Sequence, residues 1–158
     1  MPSVLFGRAK RAFDAILDGL PARSAGAITS SAQAQVGGTD KIFDLQMNAT
    51  STPQVEGTVT IVVTAITVTT ADQIYQIEVQ LSASPTFASG IVINAVQKLG
   101  HATATGASVS TTVGTFKQTF TNEYQGTTYR YLRLYTRIAG TVSPSIDYSA
   151  TLTKDRIN

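Results

Sequence analysis

Apolar residues recur along this chain with two different periods. Between residues 3 and 20 they fall three and four apart, at Leu5, Ala9, Ala12, Phe13, Ile16, Leu17 and Leu20. That spacing predicts an amphipathic helix. Ser3 is placed to cap its start, and Gly19 and Pro21 are placed to end it. Gly7 costs the first turn up to ~1 kcal/mol relative to alanine. Arg8, Lys10, Arg11, Asp14 and Asp18 occupy the polar face. Amphipathicity says only that the stripe is buried somewhere. The helix therefore packs on its own domain or, as an arm, on a partner. Residues 21 to 40, rich in Ala, Ser, Gly and Gln, have no sustained period and read as a linker or extended arm.

From Lys41 onward the pattern changes to short runs separated by turn residues. Ile42 and Phe43 seed the first. Residues 58 to 67, TVTIVVTAIT, are dense in β-branched side chains. Ile74, Ile77, Val79 and Leu81 follow, with Gln76, Glu78 and Gln80 between most of them, which predicts a strand buried on one face. A loop with Pro85 and Gly90 leads to IVINAV, then a polar loop around His101, then TVGTFKQTFT. YRYLRLYTRI, residues 129 to 138, is the clearest strand. Ile146, Tyr148, Ala150 and Leu152 give the last one its apolar face. Short strands with no internal helix predict an all-β fold, an antiparallel β-sandwich of the jelly-roll kind. The expected division is an N-terminal helix and extended arm over residues 1–40 and a β-sandwich domain over 41–158.

Composition sharpens that picture. Only 14% of the residues are charged, and 24 of the 158 are threonine. A threonine-rich surface of low charge suits extended strands and large protein contacts. The formal net charge of +2 gives no general reason to bind nucleic acid. No run approaches the ~18 apolar residues of a membrane-spanning helix. Asp14 and Asp18 interrupt the N-terminal apolar stripe, which argues against a secretory or transit peptide. The protein is expected to be made and kept in a cytoplasm, or assembled there into something larger.

The chain has no cysteine and one histidine, His101. Thiol chemistry and a multi-histidine metal site within one chain are excluded. The acids are scattered, with no paired-carboxylate, calcium-loop or glycine-rich phosphate motif. No catalytic activity, cofactor or metal requirement is expected. The strand from 129 to 138 holds the one pattern suited to recognition. Alternation puts Leu132, Leu134, Thr136 and Ile138 on one face, and Tyr129, Tyr131, Arg133, Tyr135 and Arg137 on the other. A row of tyrosine and arginine suits single-stranded nucleic acid, a protein interface, or an outer sheet face whose arginine stems cover tyrosine rings. These readings stay open on the residues alone.

Four stretches resemble the small cement, or decoration, proteins of tailed-bacteriophage capsids. ITSSAQAQVGGTDKIFDL is similar to the family's opening arm. TVTIVVTAITVTTADQIYQIEVQLSASPTFASG is similar to its central strand pair and following loop. TYRYLRLYTRIAGT and DYSATLTKDRIN resemble its tyrosine–leucine–arginine strand and its ending. The resemblance implies a jelly-roll subunit, usually dimeric, on the outer capsid surface of the virion. It would clamp neighbouring major capsid proteins and stabilise the mature head. A homo-oligomer, dimer before trimer, is expected, without nucleic acid or membrane as partner. The partner-binding residues expected are Leu5, Phe13, Ile16, Leu17 and Leu20 on the helix stripe, and Tyr131, Arg133, Tyr135 and Arg137 on the strand. The alternative is a carbohydrate-binding or adhesive β-sandwich, in which Tyr131 and Tyr135 would stack on sugar.

Overall fold

The computed structural model describes residues 19–45 and 52–154. In chain order the first strands are β1 (Leu20–Arg23), β2 (Ala27–Ile28), β3 (Ala32–Gln33), β4 (Gln35–Val36), β5 (Thr39–Asp40) and β6 (Phe43–Asp44). The long strands β7 (Glu56–Ile66), β8 (Ile74–Ser82) and β9 (Val92–Gly100) follow, then a single helical turn, α1 (Ala102–Thr105). The rest are β10 (Gly114–Thr121), β11 (Glu123–Tyr124), β12 (Thr127–Thr128), β13 (Tyr131–Ala139) and β14 (Ile146–Lys154). The described chain is mostly β.

The strands form two five-stranded antiparallel sheets and two small ribbons. The first sheet runs β1-β14-β7-β10, with β2 also on β14. The second runs β3-β13-β8-β9, with β6 also on β13. Alternation decides which side chains enter the core. Val59, Ile61 and Val63 of β7 and Ile146, Tyr148, Ala150 and Leu152 of β14 are buried from one sheet. Tyr75, Ile77, Val79 and Leu81 of β8 and Leu132 and Leu134 of β13 are buried from the other. Together they make one apolar cluster. Each large side chain contributes ~1.5–3 kcal/mol by leaving water, which supplies the main drive for joining the two sheets.

Polar groups inside this core are bonded. The Tyr75 hydroxyl donates to the Thr67 carbonyl at 2.8 Å and accepts the Ser145 N–H at 2.9 Å. The Tyr148 hydroxyl pairs with that of Thr136. Burial pushes both phenol pKa values up. Asn122, fully buried, accepts the Val55 N–H at 2.7 Å and donates to Pro53 and Tyr129 carbonyls at 2.9 and 3.1 Å. Gly57 sits where β7 runs closest to its neighbours. A Cβ there would lie 2.5 Å from the Thr153 carbonyl oxygen and 2.8 Å from the Phe120 ring, so only glycine fits.

Several expectations change. Leu5, Phe13, Ile16 and Leu17 of the helix stripe lie outside the described residues. Leu20 does not belong to that stripe: it opens β1, opposite Leu152, and packs on the protein's own core. The segment read as a linker, 21 to 40, is built into the domain. β1 and β2 pair with β14, β3 pairs with β13, and Ala22 and Ala34 are buried in the core. Strand pairing therefore begins upstream of residue 41. Short Ala–Gln strands lack a readable period, because two residues are too few to display one. Arg23 shows what such residues do. It is 7% exposed, lies 4.2 Å from the Tyr148 ring centre and donates to the carbonyls of Tyr148, Ser24 and Gly26. The polar loop around His101 holds α1, a turn of helix capped by the His101 ring.

Candidate protein-interaction face

β13 and β8 pair along their full length, from Tyr131 opposite Ser82 to Ala139 opposite Ile74. Residues directly opposite one another in an antiparallel pair share a face. This register puts Arg133 beside Gln80, Tyr135 beside Glu78 and Arg137 beside Gln76 on the outer face. β3 adds Gln33 from the other side, opposite Tyr135. The expected alternation holds within β13: Leu132, Leu134 and Thr136 are buried, Ile138 packs on the core, and Tyr131, Arg133, Tyr135 and Arg137 point away from it. Tyr129, expected on the outer face, precedes β13 and packs against the core instead, because the strand's alternation does not extend to it.

The arginines of this face are held in a network. The Arg133 Nε donates to the Gln80 Oε1 at 2.9 Å, and its Nη1 donates to the Gln33 Oε1 at 2.8 Å. The Arg137 Nε donates to the Glu78 Oε1 at 2.6 Å, and the Gln80 Nε2 donates to the Glu78 Oε2 at 2.6 Å. The Arg133 guanidinium lies 4.3 Å from the Phe87 ring centre and 5.2 Å from that of Tyr135, and the Arg137 guanidinium lies 5.5 Å from Tyr135. Just before β13, Arg130 grips Asp44 through two nitrogens, at 2.9 and 2.6 Å, and lies over Tyr131. That carboxylate raises the Arg130 pKa. Arg133 differs: it makes no ion pair with a carboxylate among the described residues. Burial pulls its pKa down, a shift opposed by Tyr135, Asp40 and Glu78.

The one-face reading of β8 is corrected here. Glu78 is 2% and Gln80 1% exposed, although both point away from the core. The arginines lie against them, so the second face of β8 is buried from Glu78 onward, while Gln76 stays half-buried. The loop after β8 contributes Phe87, a buried apolar side chain that stands outside the main core cluster. Its backbone φ is +50°, a left-handed conformation that costs a bulky residue ~1 kcal/mol or more. Phe87 donates its N–H to the Ser84 carbonyl at 3.3 Å, and the Ser84 and Thr86 hydroxyls pair at 3.0 Å. Sequence reasoning missed Gln33, Glu78, Gln80 and Phe87 as parts of this face. A single aromatic residue in an otherwise polar loop was the signal available for Phe87.

The remaining candidate chemistry is spread out. The His101 Nδ1 accepts the Thr103 N–H at 3.2 Å, a capping role. A cleft of about 360 Å³ beside Arg137 has no acidic lining residue, and one of about 500 Å³ between β9 and β10 has a single one, Glu56. Among the described residues, no three His, Asp or Glu side chains gather into a set able to hold a metal ion. No helix of the described residues is long and apolar enough to cross a membrane. Tyr131 and Tyr135 have guanidiniums against their rings, which competes with sugar stacking on them. No protein-family model, curated protein or solved structure matches this chain.

Proposed function

We propose that this protein is a structural component of a tailed-bacteriophage virion. It binds the outer surface of the capsid, bridges neighbouring major capsid proteins and stabilises the mature head. Its fold in this reading is a jelly-roll sandwich, and its working form is a homo-oligomer, dimer before trimer, assembled in the bacterial cytoplasm. The observation that carries the reading is the outer face of β13 and β8. Its arginines are pinned by a part-buried hydrogen-bond network and lie against the rings of its tyrosines, as suits a surface that meets another protein without rearranging. The four sequence stretches that resemble capsid cement proteins add the identity of the partner.

The physics of cementing is binding linkage. A subunit that binds the assembled lattice and not its dissociated parts stabilises the lattice by an amount that grows with occupancy. Two attachment points per oligomer gain further from effective concentration. The second attachment point we propose is the N-terminal segment, as a helix whose stripe of Leu5, Phe13, Ile16 and Leu17 docks on the capsid or a sister subunit. An isolated helix of this length is marginal in water and needs such a surface.

The test is a cryo-EM map of particles carrying this chain, paired with a variant lacking residues 1–18. That cut spares β1, which a longer deletion would remove. The expected result is density for the chain between capsid subunits on the outer surface, and lower occupancy for the truncated protein with its fold intact. Absence of the chain from the particle, or a position inside the head, refutes the function. Unchanged occupancy after truncation refutes the arm.

A further inference from the structure

We infer that Arg133, with Arg137 beside it, receives carboxylates from an acidic surface of the partner protein; this rests on the reading of the outer face as a protein-binding surface. A guanidinium has five N–H donors in a planar fork. Arg133 commits its Nε and Nη1 to amide oxygens, and its Nη2 has no bond among the described residues. Among the described residues Arg137 commits only its Nε, and its side chain is 53% exposed. Donors of both residues therefore remain for a ligand.

The choice of partners for Arg133 is informative. Gln33 and Gln80 fix the direction of its guanidinium without cancelling its charge. A carboxylate at either position would do both. Phe87 and Tyr135 pack against the same group, which leaves little side-chain freedom to lose on binding. The cation is partly buried and its pKa is pulled down for that reason. An incoming carboxylate would compensate that burial through charge-assisted bonds in fork geometry. Charge complementarity thus names the partner chemistry. Nucleic acid fits less well. The ring of Tyr135 has guanidiniums against it and not a free face for a base, Glu78 offsets Arg137, and Asp44 holds Arg130.

The experiment follows the arginine Nε–Hε signals of the ¹⁵N-labelled full chain by NMR. The probes are a hexaglutamate peptide and, separately, hexathymidylate single-stranded DNA. The expected result is saturable movement of the Arg133 signal with hexaglutamate, with a dissociation constant of ~1 mM. Arg133→Lys keeps charge and stem but loses the fork, and should weaken binding about 10-fold with a native spectrum. Arg133→Gln should lose it. No movement up to ~10 mM peptide overturns the inference. So does equal peptide binding by Arg133→Lys, or tighter binding of the DNA. If Arg133→Gln fails to fold, Arg133→Lys decides alone. Capsid binding measured in parallel separates the two proposals. Peptide binding without capsid binding refutes the cement function and leaves this inference standing. Capsid binding with no peptide response does the reverse.

Discussion

Removing the Arg137 side chain tests how far the outer face is a structural unit. Arg137→Ala strands the Glu78 carboxylate, which is 2% exposed and keeps one bond, from the Gln80 amide. Breaking a fully buried ion pair on one side costs ~3–5 kcal/mol. The Arg137 side chain is 53% exposed, so water reaches that end of the pair and the loss is smaller. Fully exposed pairs contribute ~0–1 kcal/mol. The expected cost lies between these limits, at ~2 kcal/mol. For a chain of this length that corresponds to a fall of about 4–8 °C in Tm. Urea unfolding at neutral pH measures it, with Glu78→Gln completing a double-mutant cycle. Glu78→Gln alone should destabilise, because its new amide N–H₂ meets that of Gln80. In the Arg137→Ala background it removes the stranded charge, so it should cost less there by ~1 kcal/mol or more. A loss below ~0.5 kcal/mol for Arg137→Ala would refute the reasoning, and so would additive effects of the two changes.

Asn122→Ala removes three bonds to buried backbone and should cost ~2–4 kcal/mol by chemical denaturation, well beyond an ordinary surface change. Asp72 predicts an acid-side effect. The nearby Thr70 hydroxyl and Thr141, whose N–H donates to its Oδ2 at 2.8 Å, hold its carboxyl below the usual range. A folded pKa below the unfolded value of ~3.9 means the stabilisation is complete above that value and is lost as pH falls through the lower one. Melting curves from pH ~5 down to ~2 should therefore fall less steeply for Asp72→Asn than for the parent; parallel curves would refute the assignment.

The all-β class and the inward faces of the long strands were written in the sequence. Alternation in β13 and β14 needs nothing beyond the geometry of an extended chain, which sends successive side chains to opposite sides. Leu132, Leu134, Ile146, Tyr148, Ala150 and Leu152 are buried as their spacing dictates. The same rule placed Tyr131, Arg133, Tyr135 and Arg137 together on the outer face. It says nothing of neighbours. Gln33 meets Arg133 across one hundred residues of chain, and Gln80 meets it across fifty-three. Only the order of strands in the sheet brings them together. Leu20 fitted a helical period because a lone apolar residue at the right spacing suits either a helix or the start of a strand. Pairing with β14 decided it. Glu78 and Gln80 have the composition of an exposed face, yet they are buried by arginines from the next strand and flanked by an aromatic loop. Period fixes the direction of a side chain; its burial depends on what other parts of the chain lay over it, and that is a property of the tertiary structure.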